Sequence, residues 1–208
     1  MRTGYRDRAA AGEALAGLLA RHTGRSNVIV LGLVRGGVPV AAVVAARLAV
    51  PLDVLVVRKL GVPGAEEVAF GALGPGGVVV RNEDIATRLP AEQITSVQRR
   101  EEAELERRER LYRAGRAPLD LTGRTAIVVD DGLATGATAR AAVAVARKLG
   151  AATVVAAAPV AAPDALAQLR AVADEVACPL APAQFGAVSR YYDRFGQVGD
   201  DEVIDLLA

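Results

Sequence analysis

The chain has almost none of the residues that build metal centres, disulfide frameworks or Ser–His sites. Cys178 is its one cysteine and His22 its one histidine among 208 residues. A lone cysteine excludes a disulfide framework and a cysteine-ligated metal, and it fits a reducing interior. A lone histidine excludes a His-rich metal centre and leaves little for Ser–His chemistry. Tryptophan is absent, and only four tyrosines and three phenylalanines are present. An excess of charge is lacking too: the formal net charge is +1, which gives no reason to expect non-specific nucleic-acid binding or attachment to an anionic membrane. The first twenty residues begin with charges and hold no continuous apolar core of a secretory signal. The most apolar 20-residue window, 38–57, is broken by Pro39, Arg47, Pro51 and Asp53, so no membrane span is expected. A cytoplasmic protein is the expectation. Lysine is scarce as well: the 25 basic residues include only Lys59 and Lys148, which draws notice to where Lys59 falls.

What is present is an ordinary folded composition, 52% hydrophobic and 24% charged, over a length that suits one domain, 1–208. Apolar runs of four to six residues alternate with longer helical patterns, the signature of an α/β protein with a central, mostly parallel sheet flanked by helices. Strands are expected near 27–32, 52–57, 125–130 and 153–158, with shorter ones near 68–72, 77–80 and 175–178. Helices are expected over 9–21, 38–48, 136–149 and 163–172. Two βαβ units result, 27–57 and 125–158, each crossing over right-handedly.

The segment 90–114 differs. Its "QRREEAELERRERLYR" offers opposed charges four apart, Arg100/Glu104, Glu104/Arg108 and Glu106/Arg110, each pair worth about 0.2–0.5 kcal/mol to a helix. Ile94, Val97, Leu105 and Tyr112 make a thin apolar stripe. This reads as a solvated helix lying across the sheet; a dimer contact or the carrier of a mobile flap are the alternatives.

The chemistry concentrates in "AIVVDDGLATGATA", residues 126–139. An apolar strand runs into Asp130 and Asp131, and small residues follow. Ala134, Thr135, Gly136, Ala137 and Thr138 offer five backbone amides with little side-chain bulk at a helix start, a ready phosphate site. No Gly-Lys-Ser/Thr makes it a Walker A loop, and no glycine-first pattern makes it a dinucleotide fingerprint. Two carboxylates, acceptors only, suit the two hydroxyls of a vicinal diol. The combination reads as a cradle for ribose 5-phosphate. A magnesium-holding acid pair beside a nucleotide, or two acids that merely cap the next helix, are the competing readings.

At these residues the chain resembles the type I phosphoribosyltransferases, whose phosphoribosyl diphosphate (PRPP) motif is an apolar strand, two acids, two spacers and then small-Thr-Gly-x-Thr. Gly132 departs from it, standing where the family usually has an aliphatic residue. "VVRKLGVPG" and "RYYDRFGQVGDDEV" are similar to segments of one subfamily, so the likeness covers nearly the whole chain. It implies the type I phosphoribosyltransferase fold, with a core at about 26–180 and a small hood from 181–208 with part of the N-terminus. Relatives are commonly homodimers.

Two further loops fit. Arg35, Gly36 and Gly37 place a guanidinium and two unhindered amides at a helix start; an ordinary strand-to-helix turn is the plain alternative. By resemblance this is the pyrophosphate loop. Arg58 and Lys59 sit at a strand end before a Gly/Pro-rich stretch, 59–67, that the resemblance implies closes over the site. Glu66 and Glu67 could polarise an incoming base, although ordinary surface acids would look the same. Phe185, Tyr191, Tyr192 and Phe195 are four of the seven aromatic residues. The resemblance implies that one of Phe185, Tyr191 and Tyr192 stacks on a base, while the same rings could simply pack the C-terminal segment onto the core.

The resemblance implies a magnesium-dependent transfer of the 5-phosphoribosyl group from PRPP to a small nitrogen acceptor, releasing pyrophosphate. Asp130, Asp131, Lys59 and Arg35 would be the catalytic set, and the metal would meet Asp130 and Asp131 through water. Enzymes acting on hypoxanthine and guanine usually carry a third acid just before the Thr-Gly, and here that position is Ala134, which disfavours a 6-oxopurine. A PRPP-sensing regulator, or a hydrolase or synthetase-like relative using the same cradle, are the rivals.

Overall fold

The computed structural model describes residues 4–208, the side chain of Glu67 excepted, so the Glu67 suggestion lies outside the described residues. Five strands form a parallel sheet: β1 (Val28–Leu33), β2 (Leu52–Leu55), β6 (Thr125–Val129), β7 (Thr153–Ala157) and β8 (Glu175–Ala177), in the order β2-β1-β6-β7-β8. Every residue of β1 and β6 is buried, as an unbroken apolar run predicts for a strand covered on both faces. The two-residue period divides the side chains. Ile29, Leu31, Ala126, Val128, Val154 and Ala156 pack on one face with α5 (Ala137–Lys148) and α6 (Pro163–Arg170). Val28, Val30, Ile127, Val129, Val155 and Ala157 pack on the other with α1 (Arg8–Leu18) and α2 (Gly37–Leu48). Each buried Leu or Ile here stabilises the fold by about 1.5–3 kcal/mol.

That division creates the site. The chain leaves β1 through α2 on one face and returns at β2, whereas it leaves β6 through α5 on the opposite face and returns at β7. β1 and β6 are neighbours, pairing Val28 with Thr125 through Gly32 with Val129. Their following loops therefore diverge and open a crevice at their carboxyl ends, where ligands bind in open α/β sheets.

A second sheet corrects one expectation. Arg58 and Lys59 do not precede a loop; they begin β3 (Arg58–Val62), which pairs antiparallel with β4 (Ala65–Gly74), and β4 with β5 (Val78–Arg81). Lys59 lies opposite Ala72. The Gly/Pro-rich stretch is the turn of this hairpin, with Gly64 at φ +79°, a conformation glycine adopts at no steric cost. The hairpin packs between α5 and the long helix α4 (Ala91–Tyr112). Phe70, Leu60 and Leu73 meet Val97, Leu105 and Tyr112, while Ala72 and Val80 meet α5. The thin apolar stripe of α4 is thus the part that docks. Two helices lie outside the sequence expectations, α3 (Glu83–Ala86) and α7 (Asp200–Leu207), the latter buried through Val203 and Leu207.

The segment at Tyr5 pairs with the segment at 191–193. Tyr5 N–H donates to the Tyr191 carbonyl at 2.7 Å, and Asp193 N–H to the Tyr5 carbonyl at 2.9 Å. No helix among the described residues is long and apolar enough to cross a membrane.

Candidate active site

Asp130 and Asp131 follow the last residue of β6, at the mouth of the crevice. Across it, Arg35-Gly36-Gly37 leads from β1 into α2. The two loops are in contact: a Cβ on Gly36 would stand 2.2 Å from Asp131 Oδ2, and one on Gly37 would stand 2.4 Å from the Val129 carbonyl oxygen. No side chain fits at either position, so both glycines are required by the close approach itself. The glycine loop and the acid loop are therefore direct neighbours at the carboxyl ends of β1 and β6.

Both carboxyls are half-buried, and both titrate above the ordinary carboxylate range. Burial is the main cause. For Asp130, pushed up to about 7, the Asp131 charge adds to it, while the bond that Asp130 accepts from the Asp131 amide, at 2.9 Å, works against it. For Asp131 the opposing influence is Arg8, whose Nη2 lies 2.8 Å and Nε 2.9 Å from Asp131 Oδ2. Arg8 also donates to the Gly196 carbonyl at 2.9 Å and stands 4.1 Å over the Phe195 ring, a cation–π contact.

The loop beyond the acids has the form expected of a phosphate cradle. Leu133 is anchored by donating to the Val160 carbonyl at 2.9 Å. Gly136, at φ +67°, turns the chain into α5, and Arg140 Nη1 donates to the Thr135 carbonyl at 2.8 Å. Ala134, Thr135 and Thr138 are exposed. The first amides of a helix have no intrahelical acceptor, so Ala137 and Thr138 can donate outward; Ala137 N–H meets Thr135 Oγ1 at a long 3.3 Å.

The cations sit less simply than their sequence positions suggest. Arg35 Nη1 is 3.4 Å from Asp200 Oδ1 at the start of α7, and the Tyr112 hydroxyl donates to that same oxygen at 2.6 Å. Arg58 is ion-paired with buried Glu101 of α4, Nη2 to Oε2 at 2.6 Å. Arg100, expected beside Glu104, instead donates to Glu101 Oε1 at 3.0 Å, leaving Glu104 to Arg107 and Arg108. Lys59 lines a cleft of about 330 Å³ that also touches Val34 and Thr138. Glu66 accepts from the Gly64 amide at 3.2 Å at the hairpin turn.

The aromatic rings are occupied by one another. Phe185 and Tyr191 stack at 5.5 Å between centroids, and Tyr192 and Phe195 at 4.8 Å. Phe185, Tyr191 and Tyr192 are buried, the packing alternative of the two the sequence left open. The Tyr192 hydroxyl donates to the Asp131 carbonyl at 2.5 Å, so this ring braces the acid loop. The departure at Gly132 also has a physical reason: a Cβ there would be 2.4 Å from Val188 Cγ1. Val188 fills the space that an aliphatic residue at 132 would take.

Arg8, Tyr192 as an acid-loop brace, Glu101, Tyr112 and Asp200 are the contributors that sequence reasoning did not find. Arg8 and Asp131 are separated by 123 residues, and no local pattern links them.

An acid pair, two amide-rich anion loops and flanking cations, set at the switch point of a parallel sheet with helices on both faces, define the type I phosphoribosyltransferase fold. The phosphoribosyl transferase domain family matches residues 5–193, and the chain belongs to that family. Two Mycobacterium tuberculosis proteins, "Putative phosphoribosyl transferase MT0597" of strain CDC 1551 / Oshkosh and "Putative phosphoribosyl transferase Rv0571c" of strain ATCC 25618 / H37Rv, are each 52% identical to it over 205 residues. The match covers 98% of this chain and 46% of each relative, so the chain spans about half their length. The crystal structure of TT1426 from Thermus thermophilus is 42% identical, with a TM-score of 0.90 over 100% of this chain and 98% of that one.

Proposed function

We propose that this domain binds PRPP and transfers its 5-phosphoribosyl group to a small nitrogen acceptor. The observation that supports the reading is the close approach of the Gly36-Gly37 loop to the acid loop, where a Cβ on Gly36 would fall 2.2 Å from Asp131 Oδ2. In this reading the amides of Ala134, Thr135, Gly136, Ala137 and Thr138 take the 5-phosphate, and Asp130 and Asp131 accept from the ribose hydroxyls. The Gly36 and Gly37 amides, with Arg35 and Lys59, take the pyrophosphate.

The acceptor nitrogen forms a bond to C1 while the C1–oxygen bond breaks, the electron pair leaving with pyrophosphate and the acceptor losing a proton. The transition state has sugar-cation character, so fixed negative charge under the ribose and fixed positive charge at the leaving group are what the chain can supply. Arg35 would turn from Asp200 toward the pyrophosphate.

Magnesium fits the donor set. Among the described residues no three His, Cys, Asp or Glu side chains converge as a metal cage. A hard dication that keeps its waters needs only one or two carboxylates beside substrate oxygens, and Asp130 and Asp131 meet that need through water. When bound, magnesium would neutralise pyrophosphate charge.

Ala134, where an acid would exchange a proton with a 6-oxopurine, disfavours that acceptor class. A second reading, a PRPP-sensing protein without turnover, draws on a specific observation: Arg8, Arg35 and Arg58 are each already paired with an acid. Incubation with PRPP, magnesium and a panel of nucleobases, following pyrophosphate release and product mass, separates the two. Product on any base supports transfer; tight PRPP binding without product on any base supports the sensor.

A further inference from the structure

The cleft at Lys59 has a wall that the sequence reading assigned to solvent. It is bounded by Val34, next to the pyrophosphate loop, by Thr138 of the phosphate loop, by Arg58 and Lys59 of β3, and by Arg100 and Arg108 of α4. Four cations thus line about 330 Å³, against the acids Glu66 and Glu101. Glu101 is consumed by holding the wall together, with Oε2 on Arg58 and Oε1 on Arg100. Each of these arginines uses only part of its five-donor fork on that carboxylate.

Two electrostatic relationships tie α4 to the rest of the cleft. Glu66 is held below the usual carboxylate range, first by the amides of its own residue and Gly64, and further by the charges of Arg100 and Lys59. Arg108 and Arg35 both bear on Tyr112, opposing the burial and the Asp200 bond that push its phenol up to about 12. Arg100 and Lys59 thus both lie near enough for their charges to be felt at Glu66, and Arg108 and Arg35 at Tyr112.

Resting on the PRPP reading above, we infer that this cleft is a polyphosphate subsite in which Arg100 and Arg108 of α4 join Lys59 in holding the pyrophosphate group. Helix α4 is then a working wall of the site. Its opposed charges have two duties: Arg107, Glu104, Arg110 and Glu106 support the helix, Arg100 and Glu101 face the cleft, and Arg108 does both, lining the cleft while its Nε holds Glu104 Oε1 at 2.6 Å.

The test is calorimetric binding of pyrophosphate with magnesium, and separately of ribose 5-phosphate, to the full chain. The variants are R100Q/R108Q and, as a charge-matched control from the same helix outside the cleft, R99Q/R110Q. Arg107 still holds Glu104 at 2.8 Å without Arg108, so the helix keeps a partner for that acid. The expected result is pyrophosphate affinity about tenfold or more weaker in R100Q/R108Q, the scale of losing hydrogen bonds to a charged group. Its salt dependence should be shallower, ribose 5-phosphate affinity unchanged, and the control like wild type. Unchanged pyrophosphate affinity in R100Q/R108Q, or an equal loss in the control, would overturn the inference. So would wild-type protein that binds ribose 5-phosphate but not pyrophosphate, and this outcome leaves the sugar-phosphate cradle standing. Failure to bind either ligand would overturn the PRPP reading itself, and this inference with it.

Discussion

Val188 stands where the side chain of residue 132 would be: a Cβ on Gly132 would lie 2.4 Å from Val188 Cγ1 and 2.8 Å from Cγ2. The C-terminal turn and the acid loop are therefore fitted to each other. Gly132→Ala should lower stability by about 1–3 kcal/mol, the usual penalty of overpacking. Val188→Ala in the same chain should recover most of that loss. Urea denaturation of the two single variants and the double variant measures the coupling, and additive losses would contradict the fit.

Asp130→Asn and Asp131→Asn should each abolish detectable PRPP binding while the chain remains folded. Each substitution replaces an acceptor-only carboxylate by an amide that keeps one acceptor oxygen, gains an N–H donor facing the hydroxyls and loses the charge. The two variants should differ in stability, because Asp131 anchors Arg8 and Asp130 has no such partner among the bonds described. Calorimetry for binding and circular dichroism for folding check both. Wild-type affinity in either variant would remove that acid from the cradle.

These residues mark how far the sequence alone reaches. The parallel sheet was legible because strands buried on both faces must be continuous apolar runs, as in β1 and β6. The acid pair and the run of small residues after it stand out in the sequence because they are contiguous, from Asp130 to Thr138. The hairpin at 58–74 was legible only in part: a short strand near 68–72 falls inside β4, but the Pro63-Gly64 turn signals a break without saying that Arg58–Val62 before it is a strand. Helix α7 carries a readable sign, three acids in its first turn with Val203 and Leu207 four apart. Arg8 on Asp131 and Asp200 on Arg35 had no sign at all. Contacts across 123 and 165 residues follow from the fold and not from any local spacing.

The one histidine should make the protein acid-sensitive. His22 is buried, neither ring nitrogen has a hydrogen-bond partner among the described residues, and although Glu175 Oε2 lies 3.6 Å from Nε2, burial, with Arg21 and Arg25 nearby, lowers its pKa below the ordinary 6.5. Below pH 6.5 the unfolded chain binds a proton that the folded protein resists, so this contribution to stability is full above 6.5 and is lost as pH falls. Asp130 works in the opposite direction, since its raised pKa makes the folded protein the better proton binder between about pH 4 and 7. The comparison must therefore be wild type against His22→Phe. Between pH 7.5 and 5 the denaturation midpoint should fall further in wild type than in the variant, whichever is the more stable at pH 7.5. Parallel curves would mean that His22 carries no linkage.

Arg8 should be the costliest single truncation near the site. Its side chain is only 13% exposed, and its contacts run to Asp131, the Gly196 carbonyl and the Phe195 ring. Arg8→Met strands a half-buried carboxylate and releases the C-terminal segment from the acid loop, and should lower stability by about 3 kcal/mol or more. Arg8→Lys keeps the charge but not the planar fork that reaches Asp131 and Gly196 together, so it should recover part of the loss. Asp131→Asn measured in the Arg8→Met background separates the ion pair from the packing. Once the arginine is gone, removing the acid's charge should cost little or even stabilise the chain. An undiminished cost would show that Arg8 acts through Gly196 and Phe195 alone.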